Sequence, residues 1–280
     1  MIIVKIWGGI GNQLFQYVFG QYLHYRYGQE VFYDDNAYIS VDKLRNRELD
    51  SLDRVIKYDN SCNFSKYRGV KNRLLRFLWQ TSPRKHLVLE GKTIPKSFLP
   101  NHIYFFQGYW QDIKYYKWLI ENVLDFDLQS KHIPEELVCL YDEVRNEENS
   151  VSIHVRRGDY FSPKNIKTYG VCDIDYFNSA LEKISMQIPN FRLFVFSDDL
   201  DWVRENLRVG DNAIFVPNYS ISQFAYIELM SHCRHHIISN SSFSWWGAVL
   251  NSQDSSMVIA PKSWTLTSVK TIALETWFKI

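Results

Sequence analysis

The chain has 280 residues, with 32 Lys and Arg against 31 Asp and Glu. This near-neutral balance argues against nucleic-acid binding through a basic surface, and the length suits one large or two ordinary domains. Cys62, Cys139, Cys172 and Cys233 form no CxxC pair and no cluster with histidine, which excludes a zinc module or a disulfide framework and fits buried thiols in a reducing compartment.

The chain opens on a strand-like run, Ile2 to Trp7, with no basic and apolar leader before it, and no apolar run reaches the length of a membrane span. A cytoplasmic protein is expected, at most peripheral to the inner face of the plasma membrane. Gly8-Gly9-Ile10-Gly11-Asn12-Gln13 follows, and then Leu14, Phe15, Val18, Phe19, Tyr22 and Leu23 recur at helical spacing. Strand, glycine turn and helix bring backbone close to a ligand at the positive end of a helix. A second strand, Val31 to Tyr33, runs into Asp34-Asp35, imitating a dinucleotide fingerprint with its ribose-binding acid. Leu14 stands where the third glycine of that fingerprint belongs, and a tight turn without a ligand explains the stretch equally well.

Residues 37 to 150 are less legible. Lys66, Arg68, Lys71, Arg73, Arg76, Arg84 and Lys85 surround Leu74, Leu75, Phe77, Leu78 and Trp79. A solvated helix face is favoured there over contact with an anionic membrane or a lipid-linked acceptor. The aromatic run from Tyr104 to Gln111 reads as a strand breaking into a loop that displays Trp110 and Gln111. Residues 128 to 149 read as a helix and a polar connection, dividing the chain into domains 1–149 and 150–280.

The second half carries the stronger signals. Val151-Ser152-Ile153-His154 is a β-rich run that ends in Val155-Arg156-Arg157-Gly158-Asp159. An arginine at the carboxyl end of a parallel strand stands where α/β proteins bind ligands, and its planar fork grips phosphate with two parallel hydrogen bonds. A helix over 175–188 stops at Pro189, and the strand Phe191 to Phe196 ends in Ser197-Asp198-Asp199. Capping of the following helix explains that acidic pair better than a metal does, since no further carboxylate lies near in sequence. A short strand over 213–216, a helix over 222–233 and a strand over 236–238 come next. Ser239-Asn240-Ser241-Ser242-Phe243-Ser244-Trp245-Trp246-Gly247-Ala248 then opens a helix, gathering more hydroxyls at its positive end than capping needs, which suits a diphosphate.

Four stretches in order, Gly8 to Tyr17, His154 to Tyr160, Phe196 to Asp199 and Asn240 to Ala248, resemble the bacterial α-1,2-fucosyltransferases of glycosyltransferase family 11. The likeness spans residues 4 to about 251. It implies an α/β GT-B-type fold with two facing Rossmann-like domains, an acceptor-side N-terminal domain and a donor-binding C-terminal one. It implies transfer of L-fucose from GDP-L-fucose to a galactoside with inversion, without an essential metal or other cofactor, in the synthesis of surface glycan such as O-antigen or capsule. The acceptor would be an oligosaccharide or lipid-linked glycan. Arg156 would hold the β-phosphate, His154 and Asp198 the nucleoside end, and Ser241 and Ser242 the diphosphate. Gly9, Gly11, Ser197 and Asn240 would complete the donor site, with Asn12 and Asp159 toward the reacting centre.

Tyr226 departs from the family pattern, standing where an acidic residue is expected to pair with guanine N1 and N2. Glu228 or a backbone carbonyl would substitute, or the same fold would use another nucleotide sugar. The general base is open among Asp34, Asp35 and Asp159. A dinucleotide-dependent oxidoreductase using Gly9, Gly11 and Asp34 is the alternative from another class. It leaves the two arginines and the serine-rich motif unexplained. A non-catalytic sugar-binding module ranks last, because it needs no phosphate-gripping arginine.

Overall fold

The computed structural model describes residues 1–40, 45–61, 82–158, 172–253, 255–266 and 271–280. The chain divides into two compact units, Met1–Lys131 and His132–Ile280.

The first unit is built on four parallel strands in the order β2-β1-β4-β3, where β1 is Ile2–Lys5, β2 Val31–Asp34, β3 Lys85–Leu89 and β4 Ile103–Gln107. Ile2, Ile3 and Val4 are fully buried, as a β-branched run must be when helices or loops cover both sheet faces. Helix α1 (Ile10–Tyr27) crosses the sheet and ends at Gly28, whose φ of 63° closes it in the left-handed region. The short α2 (Asn36–Ser40) follows β2, and α3 (Ile113–Asn122) is capped by the Asp112 carboxylate on Lys114 N. Phe19 of α1 packs against Tyr115 of α3, and Tyr22 against Trp118.

The second unit holds six parallel strands in the order β10-β9-β8-β5-β6-β7: β5 Ser150–Val155, β6 Arg192–Ser197, β7 Ile214–Phe215, β8 His235–Ile237, β9 Val258–Ala260 and β10 Phe278–Lys279. All six residues of β5 are buried. Side chains alternate between two cores, as a period of two requires. Leu193 and Val195 join Val151, Ile153 and α5 (Ile174–Gln187) on one face, while Phe194 and Phe196 join α4 (Val138–Asn146) and α7 (Gln223–Ser231) on the other. Helices α6 (Leu200–Asn206) and α8 (Ser242–Val249) complete the unit.

The units part at Lys131/His132, not near Asn149. The reason is packing: Leu137, Tyr141 and Val144 are buried against Phe194, Ala225 and Leu229, so α4 belongs to the second unit. The basic stretch from Lys66 to Arg76 lies outside the described residues. Among the described residues no helix is long and apolar enough to cross a membrane.

Candidate active site

In the second sheet β5 pairs with β6 on one side and β8 on the other. The chain runs β5-β6-β7 outward, then returns to build β8-β9-β10 in the opposite direction. Strand order therefore reverses between β5 and β8, and ligands of open α/β sheets bind outside the strand carboxyl ends at such a point. Arg156-Arg157-Gly158 leave β5 there, and Ser239-Asn240-Ser241 leave β8 beside them.

The two arginines have different surroundings. Arg157 lies with its guanidinium 3.7 Å from the Trp202 ring centre, its Nε donates to Asp199 Oδ2 at 3.1 Å, and its side chain is only 18% exposed. Asp199 also caps α6 through Trp202 N. Arg157 thus ties the end of β5 to α6. Arg156 is 29% exposed, and its Nη1 lies 3.0 Å from Asp198 Oδ2. Asp198 Oδ1 accepts from Arg157 N at 2.9 Å, so one carboxylate fixes both the backbone and the guanidinium. A Cβ on Gly158 would collide with that carboxylate, which gives the glycine a steric reason.

His154 is buried, with Nδ1 2.9 Å from Ser239 Oγ and its ring stacked on Phe243. Burial, and secondarily the Arg156 charge, lower its pKa to about 3, so the ring is neutral. Ser197 Oγ donates to Val155 O and accepts from Asp199 N, joining the ends of β5 and β6. Asn240 is buried, donating to Trp264 O at 3.3 Å. Ser241 caps α8 by accepting from Phe243 N, and Ser244 Oγ donates to the carbonyls of Ser239 and Ser241. Ser242 is half-buried at the first helical position. Of the serine-rich run, Ser239, Ser241 and Ser244 therefore have structural partners of their own. Asp159 lies outside the described residues.

Tyr226 is buried in α7, and its hydroxyl accepts from Tyr219 N at 2.6 Å and donates to Pro217 O at 2.9 Å. It pins the loop after β7, whose Asn218 Nδ2 donates to Ser197 O. Glu228 sits beside the Tyr141 hydroxyl instead.

In the first unit the glycine turn is held by two glutamines of α1. Gln13 and Gln16 are fully buried in α1. Gln13 Nε2 donates to Gly8 O and Asn46 O, and its Oε1 accepts from Glu48 N. Gln16 Oε1 accepts from Trp7 N. Polar residues at i and i+3 on an otherwise apolar helix face were the signal for this. Gly8, at φ 85°, is the residue whose backbone requires glycine; Gly9 precedes the helix in an extended conformation and Gly11 lies within it. Asn12 Oδ1 accepts from Gln111 Nε2 at 2.8 Å. Trp110, expected on display, is 3% exposed and stacks on Phe19, while Tyr109 is the half-buried ring.

The three carboxylates considered as base fare differently. Asp35 is held by Arg47 at 2.5 Å and Asn60 at 2.7 Å. Asp34 is fully buried; Asn36 N donates to its Oδ1, and its Oδ2 has no hydrogen-bond partner among the described residues. Burial raises its carboxyl pKa, with Asn36 and Lys5 opposing. A carboxylate with no exposed surface cannot receive a ribose, which removes the ground for the oxidoreductase alternative. Among the described residues no group of three or more His, Cys, Asp or Glu could hold a metal ion.

A family model described as Glycosyl transferase family 11 matches residues 62–280. The O-antigen biosynthesis glycosyltransferase WbnK of Escherichia coli is 30% identical, with 98% of each chain covered. An alpha-1,2-colitosyltransferase of Escherichia coli is 29% identical over 94% of this chain and 92% of its own. Among solved structures, NodZ alpha-1,6-fucosyltransferase soaked with GDP-fucose superposes with a TM-score of 0.54 at 15% identity, over 89% of this chain and 91% of that one. Fucosyltransferase NodZ from Bradyrhizobium gives 0.53 at 13% identity, over 89% and 92%. At such identity the likeness is one of fold, the α/β GT-B type with its two Rossmann-like units. The parallel sheets, the family match over most of the chain and the full-length relatives together place this protein in glycosyl transferase family 11.

Proposed function

We propose that this protein is an inverting galactoside α-1,2-fucosyltransferase that moves L-fucose from GDP-L-fucose to the 2-hydroxyl of a galactoside during O-antigen or capsule synthesis. One observation carries the reading: Arg156, clamped by Asp198, stands at the strand-order reversal of the second unit. There its guanidinium would take the β-phosphate in a bidentate grip and neutralise the charge that develops as GDP departs. The half-buried Ser242 and the first-turn amides of α8 would receive the remaining phosphate oxygens. His154, neutral and buried, would support the site through Ser239 and Phe243. The first unit would hold the acceptor, an oligosaccharide or lipid-linked glycan met at the cytoplasmic side, with at most peripheral membrane contact.

In this reading a guanidinium supplies the positive charge that many transferases take from a divalent cation, and activity should survive EDTA. The test is transfer from GDP-L-fucose to lactose, with the new linkage read by NMR. An α-1,2-fucosylated galactose supports the proposal, and an inert GDP-L-fucose sinks it.

A second reading keeps the fold and changes the nucleotide sugar. The colitosyltransferase relative favours a different sugar, and Tyr226, whose hydroxyl is occupied by the 217–219 loop and cannot replace a guanine-binding carboxylate, favours a different base. A colitosyl donor that outcompetes GDP-L-fucose in the same assay would select it.

A further inference from the structure

The first sheet has its own reversal of strand order, between β1 and β4: the chain steps from β1 out to β2, then returns through β3 to β4. The carboxyl ends of three neighbouring strands put Trp7, Tyr109 and Glu90 along that edge. Trp7 and Tyr109 are half-buried and tilted, with ring centres 4.8 Å apart and Lys5 Nζ 5.2 Å from the Trp7 ring centre. The exposed Glu90 carboxylate accepts from Tyr109 N at 2.8 Å and Gln111 N at 3.3 Å. Between those residues Trp110 adopts φ 57° and anchors on Phe19 at 4.0 Å. A bulky residue in the left-handed region is unusual, and here a carboxylate on one side and a stacked ring on the other hold it. The turn fixes Tyr109 and Gln111 together.

The Gln111 and Asn12 amides form one unit. Gln111 Nε2 donates to Asn12 Oδ1, which leaves Asn12 Nδ2 as a donor and Gln111 Oε1 as an acceptor without partners among the described residues. A sugar hydroxyl both donates and accepts, so it can close that pair. A pyranose also offers an aliphatic face to an aromatic ring. In galactose the axial 4-hydroxyl leaves the C–H groups of C3, C4 and C5 together on one face, whereas in glucose they are divided. Aromatic walls with a few placed polar groups are the usual make-up of a small-ligand site.

The geometry points to a galactoside-binding subsite at the β1/β4 edge, with the sugar's C–H face on Trp7 and Tyr109 and one hydroxyl on the Asn12–Gln111 amides. This rests on the proposed galactoside acceptor and assigns it residues. Glu90 acts as a positioning residue that holds the Tyr109–Gln111 turn.

The experiment is saturation-transfer NMR of methyl β-galactoside and methyl β-glucoside on the whole chain, with a GDP thermal shift recorded in parallel. The expected result is saturation at H3, H4 and H5 of the galactoside, with weaker transfer to the glucoside. Binding should weaken about tenfold in Trp7→Ala and Tyr109→Ala, equivalent to about 1.4 kcal/mol, while the GDP shift is retained. Should Trp7→Ala not fold, Gln111→Ala carries the same test on a half-buried loop side chain. Wild-type affinity in the folded variants, or no galactoside binding by the wild type, overturns the subsite. Loss of galactoside binding in the variants of a protein that ignores GDP upholds the subsite and removes the donor reading alone.

Discussion

Asp198 holds Arg156 and Arg157 at once: its Oδ2 lies 3.0 Å from Arg156 Nη1 and its Oδ1 accepts from Arg157 N at 2.9 Å. The carboxylate thus fixes the position of the guanidinium, and preorganised charge is what an electrostatic mechanism requires. Asp198→Asn keeps the shape and removes the charge that orients the arginine. A hydrogen bond to a charged group contributes about 1.5–3 kcal/mol, so kcat/KM should fall roughly 10- to 100-fold. Kinetics of the folded variant decide; an unchanged kcat/KM contradicts the clamp.

Gly158 makes the same point by sterics. An added methyl would occupy the space of Asp198 Oδ2. Gly158→Ala should displace the carboxylate and cut activity by a factor similar to Asp198→Asn, with a stability loss of about 1–3 kcal/mol. Combining the two changes should give much less than the product of the separate losses, since both act through one carboxylate. Full additivity in that double-mutant cycle would show that they act separately.

Gln13 has a role in stability. Gln13→Ala removes the bonds to Gly8 O and Asn46 O and the one from Glu48 N, while Gly8 O keeps the Tyr38 hydroxyl. Water reaches the exposed Asn46 and the half-buried Glu48, so each lost bond costs about 0.5–1.5 kcal/mol. Denaturant unfolding should show a loss on the order of 2–4 kcal/mol. A loss below about 0.5 kcal/mol, the size of an ordinary surface change, would mean that the turn holds without it.

Two buried histidines contribute to the response to acid. His154 and His236 both have pKa values lowered to about 3 from 6.5, first by burial. His236 lies between Ser152 Oγ at 2.7 Å and Asn251 Nδ2 at 2.8 Å, the latter a donor that requires an unprotonated ring nitrogen. The unfolded chain takes up these protons below pH 6.5 and the folded chain does not. Their contribution is thus complete above 6.5 and is lost as pH falls toward 3. At about 1.4 kcal/mol per pH unit for each ring, the pair removes about 4 kcal/mol by pH 5. Melting should be nearly level from pH 7 to 8 and drop steeply below 6.5. A level profile down to pH 5 contradicts neutral burial.

The legible parts were those with a strong local signature. The β-rich run before Arg156, the glycine turn after β1 and the strand-to-helix passage at Ser241 each announce an element through period or capping, and β5, α1 and α8 stand where expected. The domain boundary was not legible, because the polarity of Glu143–Glu148 conceals the inward face formed by Tyr141 and Val144 of α4 and by Leu137 just before it. Trp110 was misplaced because its burial depends on a left-handed turn and on Phe19, ninety-one residues earlier, and neither leaves a local mark. Ser197 and Asn240 read as ligand groups in the sequence, and the fold also gives each a backbone acceptor, Val155 O and Trp264 O, that no local pattern announces.

Arg156 at the β5/β8 reversal is proposed to hold the diphosphate of a guanosine nucleotide. Thermal shifts of the wild type and Arg156→Ala with GDP, UDP, dTDP, CMP and NADH test this most directly. A ligand at a hundred times its dissociation constant adds about 2.7 kcal/mol to stability. GDP alone should stabilise the wild type, and the shift should vanish in a folded Arg156→Ala. Equal GDP stabilisation of both proteins, or a shift with NADH and none with GDP, would contradict the account.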